Sequence, residues 1–189
     1  KAKDFGMSSV AITDHGNLYG AVHFYTEALG FGLKPIIGCE MYVAHGSRFD
    51  RESQHARTCY HLVLLAQNLI GYHNLVKLVS LGFMEGYYYK PRVDKEILAQ
   101  YSEGIIALSA CMAGEIPRLL MSDQADGWLV EDKDGGIGAG GREAALRAVE
   151  EYSRIFPGRF YLEIQDNGLT KQTILNERLI DLAKETGLP

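Results

Sequence analysis

The chain has 189 residues, 47% of them hydrophobic and 23% charged, with a net charge of −5. Such a composition belongs to a globular chain long enough for one sizeable core; no apolar run reaches the ~20 residues of a membrane helix. The acidic balance excludes nucleic-acid binding by bulk charge, so any such contact needs a local basic patch or bound cations.

The opening KAKDFGM reads as a helix tail stopped by a glycine. SSVAIT (8–13) reads as a strand that runs into Asp14, His15 and Gly16. A helix is expected over 17–31, capped by Asn17, with Leu18, Ala21, Val22, Tyr25, Ala28 and Leu29 on one stripe. KPIIGCEMYVA (34–44) is the next strand; alternation puts Ile36, Gly38, Glu40 and Tyr42 on one face, with Gly38 leaving room beside Glu40. The polar stretch HGSRFDRESQHARTC that follows has no helical stripe and reads as a long mobile loop or hairpin excursion.

YHLVLLA (60–66) is a third strand, and a helix fits 69–82. EGYYYKPRVDKE (85–96) is the one aromatic-basic patch, leading into a helix at 94–101 capped by Asp94. GIIAL (104–108) is a strand, followed by a helix at 114–122. The acidic, then glycine-rich stretch 122–141 reads as a surface insertion. Helices at 142–155 and 170–186 flank a last strand, RFYLEIQ (159–165). Alternating strands and helices imply an α/β fold with a mainly parallel sheet, whose functional residues gather at the C-terminal ends of the strands.

Four residues stand out against that frame. His15 ends the first strand beside Asp14: a satisfied loop histidine next to a capping aspartate, or a metal ligand oriented by its neighbouring carboxylate. Glu40 is a charge within an apolar run, costly unless it lies on an exposed edge, is paired, or binds metal. His61 opens an apolar strand, where one hydrogen bond in one tautomer also accounts for it. Cys111 stands at a strand-to-helix junction, either inert or favoured as thiolate by nearby N–H groups. A mixed N, O and S donor set suits Zn²⁺, Mn²⁺ or Fe²⁺ rather than Ca²⁺, and clustered ions of that kind serve phosphoester hydrolysis. In the patch, Tyr89 can stack a base while Lys90 and Arg92 meet phosphates; a tyrosine-rich strand edge is the plainer alternative. His23, His45, His55 and His73 read as surface or helix-face residues. Cys39, Cys59 and Cys111 form no C-x-x-C pair, which argues against a disulfide framework and for a reducing, cytoplasmic setting.

ITDHGNLYGA, KPIIGCEMYVA, YHLVLLAQN, GYHNLVKLVS, EGYYYKPRVDKE, YSEGIIALSACMAGEIPR and FYLEIQDNGL, in this order, resemble the amino-terminal PHP (polymerase and histidinol phosphatase) domain of bacterial DNA polymerase III alpha subunits. The resemblance spans nearly the whole chain outside the 122–141 insert. It implies one domain over 1–189, a distorted (β/α)7-like barrel with a metal site at its mouth. The matching ligand positions are His15, Glu40, His61 and Cys111, with Asp14 acting from behind them rather than on the metal. Family members begin with an H-x-H strand and finish with a D-x-H strand. Both are absent, so the first and last strands are expected to be missing, and Asn167 stands where relatives often carry His. The expected cofactor is a divalent transition metal, Zn or Mn, in the intact domain, with partial or no occupancy and no activity in this excerpt alone. The parent is then a replicative DNA polymerase of the cytoplasm. Its partners are DNA, an exonuclease subunit and, through other domains, a sliding clamp, with no membrane association. The domain itself is a phosphoesterase-like module, in some relatives a 3′–5′ exonuclease. The alternatives are a non-catalytic platform for the exonuclease subunit, or a small-molecule phosphoesterase of the histidinol-phosphatase type.

Overall fold

Val, Ile, Leu and Tyr runs punctuated by Gly and Asn dictate an alternation of strands and helices, and a computed structural model describing residues 1–122 and 140–189 shows it. In chain order the elements are β1 (Ser9–His15), α1 (Ala21–Gly30), β2 (Lys34–Ala44), β3 (Cys59–Ala66), α2 (Leu69–Met84), β4 (Arg92–Val93), α3 (Lys95–Gln100), β5 (Ile105–Leu108), α4 (Glu115–Met121), α5 (Arg142–Ile155), β6 (Phe160–Tyr161) and α6 (Thr170–Thr186). The expected insertion at 122–141 lies outside the described residues apart from its ends.

The strands form one sheet in the order β1-β2-β3-β5-β6, with β4 paired to β2. The sheet is mixed rather than mainly parallel. β1, β4 and β6 run parallel to their neighbours, but β3 runs antiparallel to both β2 and β5. The reason is the connection: β2 and β3 are joined by a loop, not by a crossover helix, so the chain must reverse. The consequence for function is direct. The start of β3 lies level with the C-terminal ends of β1, β2 and β5.

The two faces of the sheet differ. Cys39, Met41 and Val43 of β2, Leu62 and Leu64 of β3, and Ile105 and Ala107 of β5 point one way and are buried with Leu75, Leu78, Val149, Phe156 and Leu179 from the helices. The opposite face carries His15, Glu40 and His61 and is only partly covered. Helix α5 shows why the covered face is stable: Ala145, Ala148, Val149 and Tyr152 fall three and four residues apart and are all buried. Asn68 caps α2 by accepting the Gly71 amide at 2.9 Å, and Asp94 caps α3 through the Ile97 amide at 3.2 Å.

Three local expectations are corrected. Helix α1 starts at Ala21, and Asn17 does not cap it. Asn17 instead donates to the His15 carbonyl and accepts from the Tyr19 amide, each at 2.9 Å, closing a tight turn. Of its expected stripe only Ala21 and Ala28 are buried; Val22, Tyr25 and Leu29 are exposed, the first two lining an open groove with Pro35, Ile37, Leu69 and Tyr72. The last strand pairs only at Phe160–Tyr161. Beyond it the backbone amides turn to other partners: Leu162 to the Pro189 carbonyl, Glu163 to Ser109 Oγ, Gln165 to Asn176 Oδ1.

The loop between β2 and β3 is not the free excursion its polarity predicted. Arg92 is 1% exposed. Its guanidinium donates to the carbonyls of Ala56, Asp50 and Arg48 within the loop and of Gly86 outside it. Arg48 is buried as well, bonded to Asp94 at 3.0 Å and Glu85 at 2.7 Å. His45 and His55, expected at the surface, are half-buried in this loop, with His45 against Tyr60 at 4.2 Å between ring centroids.

Candidate metal centre

His15 is the last residue of β1 and is level with Glu40 in the β1–β2 register. His61 is level with Tyr42 across the β2–β3 pair. The reversal of β3 therefore brings a histidine near that strand's start to the end of β1. One ligand atom from each of His15, Glu40 and His61 lies within 4.8 Å of the other two. His61 Nδ1 is 2.5 Å from Glu40 Oε1, and His15 Nε2 is 3.8 Å from Glu40 Oε2. Cys111 joins from the turn after β5, with Sγ 3.8 Å from both Glu40 Oε1 and His61 Nδ1. Three of the expected ligands, His15, Glu40 and His61, converge, and Cys111 reaches two of them.

The turn that delivers Cys111 is built for close contact. Ala110 adopts a left-handed conformation, φ 63°, although it carries a Cβ. The His61 amide donates to the Ala113 carbonyl at 3.0 Å, so the turn pairs directly with β3. A Cβ on Gly114 would lie 2.0 Å from the Ser109 carbonyl oxygen, so only glycine fits there. The Ala113 amide reaches Cys111 Sγ at 3.4 Å. Behind the turn, Lys95 of α3 bonds Glu115 of α4 at 2.8 Å and Glu151 of α5 at 2.7 Å, fixing α4.

The electrostatics follow from crowding. Burial alone would raise the Glu40 carboxyl, but the hydrogen bond and charge of His61, with the charge of His15, outweigh it and the pKa is lowered. Burial would lower His61, yet bonding to Cys111 and Glu40 pushes it up to about 9. The protonated His61 ring donates to the Glu40 carboxylate, so the pair is balanced by a proton whose place a cation could take.

The donors fit a metal. Nitrogen, oxygen and sulfur donors of this kind are those of transition-metal sites, and three of the contacts above are 3.8 Å, close enough for shared ligation. The short His61–Glu40 contact is a proton-held pair that an ion would part.

Asp14 lies outside the cluster. Its Oδ2 accepts the Gly20 amide at 3.1 Å, tying the end of β1 to the start of α1. Gly38 does not leave room for a ligand: a Cβ there would lie 2.6 Å from Leu65 Cδ2 and 2.6 Å from the Leu64 carbonyl oxygen, so its absence serves packing. Arg92 does not face solvent phosphates, since four carbonyls hold its guanidinium. Tyr89 and Lys90 are exposed as expected. Tyr42 was the residue not singled out. Its ring stacks on His15 at 6.1 Å and meets His61 edge-on at 5.2 Å, walling the site. Alternation with Glu40 was the signal for it. The three thiols are free cysteines, and among the described residues no helix is long and apolar enough to cross a membrane.

Comparison with known proteins shows the family of the chain. The PHP domain family matches residues 1–167. The chain is 44% identical over 190 residues to the DNA polymerase III subunit alpha of Borreliella burgdorferi, covering 100% of this chain and 15% of that protein. It is 44% identical over 182 residues to the Thermus aquaticus subunit alpha, covering 95% and 14%. A solved structure from Bifidobacterium adolescentis, of a protein with inferred metal-dependent phosphoesterase activity, aligns over 99% of this chain and 76% of that one, with 15% identity and a TM-score of 0.49. The chain spans about 15% of the length of the curated relatives it matches.

Proposed function

The chain belongs to the PHP domain family, and on that premise we propose that it is the amino-terminal domain of a cytoplasmic replicative DNA polymerase, holding a divalent transition metal for phosphodiester hydrolysis at DNA 3′ ends. The observation that supports this is the convergence of His15, Glu40 and His61 within 4.8 Å, with Cys111 Sγ 3.8 Å from two of them. Those four residues would hold the ion, Zn²⁺ or Mn²⁺ by donor type. When bound, such an ion polarises a phosphoryl oxygen and acidifies water.

The chain's own residues do the rest. His61 holds a proton against Glu40, which its neighbours keep as a carboxylate; an ion held by both would take that proton's place. Tyr42 holds the His15 ring by stacking and keeps solvent from one side. Asp14 fixes the strand end from which His15 projects. The left-handed Ala110 aims Cys111 inward.

The test is metal content and 3′-terminal hydrolysis of a single-stranded oligonucleotide by the whole protein that carries this chain. Stoichiometric Zn or Mn, with hydrolysis lost in His61→Ala, supports the proposal. A protein that takes up neither metal and releases no nucleotide overturns it in favour of a non-catalytic platform for the exonuclease subunit.

A further inference from the structure

The rim beside the His15 turn has its own chemistry. Pro91, at the end of the segment Tyr87–Pro91, packs against that turn. A Cβ on Gly16 would lie 2.9 Å from Pro91 Cγ and 3.0 Å from the Tyr42 ring. The Tyr88 amide bonds the Lys90 carbonyl at 3.1 Å, which puts Tyr89 at the tip of a tight turn, with φ 60° and 61% exposure. Lys90 lies over the Tyr42 ring with Nζ 4.4 Å from its centroid, and Tyr42 in turn stacks on His15. On the other side, Arg92 grips the Ala56 carbonyl, which sets the next residue beside this turn. Arg57 thus lies over the Tyr89 ring, its guanidinium carbon 5.0 Å from the centroid.

We propose that Tyr89, Arg57 and Lys90 form a binding rim for single-stranded DNA leading to the His15 site. Tyr89 stacks a base, and Arg57 and Lys90 neutralise the phosphates on either side of it. This supplies the local basic patch that a chain of net charge −5 needs to hold nucleic acid. Arg57, exposed over the Tyr89 ring, stands where Arg92 was expected to act. The inference rests on the proposed function for its direction of entry, not for its chemistry.

The test uses the whole protein and an oligonucleotide ending in 3′ 4-thiothymidine, with hydrolysis of bis(p-nitrophenyl) phosphate as a readout of an intact site. Tyr89→Asn removes the ring with a residue that tolerates the left-handed backbone. It should raise the oligonucleotide KM and lower photocrosslinking about tenfold, leave the small substrate's kcat unchanged, and be rescued by Tyr89→Phe. The pair Arg57→Gln and Lys90→Met should reduce the slope of log binding constant against log salt by roughly 1.4. Wild-type KM, crosslinking and salt slope in all these variants overturn the rim. If the wild-type protein hydrolyses neither substrate but crosslinks through Tyr89, the rim stands and the hydrolytic function falls.

Discussion

Two clusters of charged and polar side chains behave in opposite ways. Around Arg48 and Arg92, donors and acceptors are matched: the two guanidiniums meet Asp94, Glu85 and four backbone carbonyls, in a buried setting. Around Glu40 the match is made by a proton shared with His61, and the His15 side chain is 58% exposed. A cluster matched by fixed groups holds structure; one matched by a proton can exchange it for a cation. Residue type alone does not separate the two, because both consist of side chains normally found at surfaces. The difference lies in whether the counterpart is fixed or exchangeable.

The comparison breaks most sharply at Arg48. Arg48→Met leaves Asp94, 3% exposed, without its cation, and should cost about 3–5 kcal/mol of stability by denaturant melts, with metal stoichiometry unchanged in the folded fraction. The opposite signature is expected from His15→Ala, whose side chain is 58% exposed. Metal affinity should fall by about 100-fold, while the melting midpoint without added metal shifts little. Loss of fold in the second variant, or of metal in the first, erases the distinction.

Protons sharpen it further. His61 is raised from an ordinary 6.5 to about 9. Before metal is added, its pairing therefore contributes stability that is fully present below the unfolded value and is lost as pH rises through about 9. Metal uptake displaces that proton, so apparent affinity should climb about tenfold per pH unit between those values. Calorimetry in buffers of different ionisation enthalpy counts the proton; a pH-independent affinity rules out His61 as a ligand. The smallest effect is at the margin of the satisfied cluster. Glu96 is 3.3 Å from Arg48 but its side chain is 67% exposed, and Glu96→Ala should change stability by no more than about 0.5 kcal/mol.

Much of this was legible in the sequence. The helices at 142–155 and 170–186 appear where their periodicity puts them, and His15, Glu40, His61 and Cys111 were each conspicuous as polar groups at or in apolar strands. What was hidden depends on distant partners. Nothing near Arg92 in the chain announces carbonyls 36 to 44 residues away, so an arginine beside tyrosines reads as a phosphate binder. Asn17 precedes a helical pattern and reads as a cap, but the turn that holds it starts from the His15 carbonyl behind it. RFYLEIQ alternates like a strand, yet Ser109, Asn176 and Pro189 claim its amides after the second paired residue.

The reversal of β3 also sets an order in time. Glu40 and His61 are 21 residues apart and face each other within one hairpin, whereas Cys111 is 71 residues from Glu40. Loop-closure entropy grows with separation, so during folding the carboxylate–imidazole pair assembles from a local segment before the thiol arrives. His15 is about as near to Glu40 in the chain, on the strand that pairs with β2, so a metal ion present during synthesis would meet these three residues before Cys111.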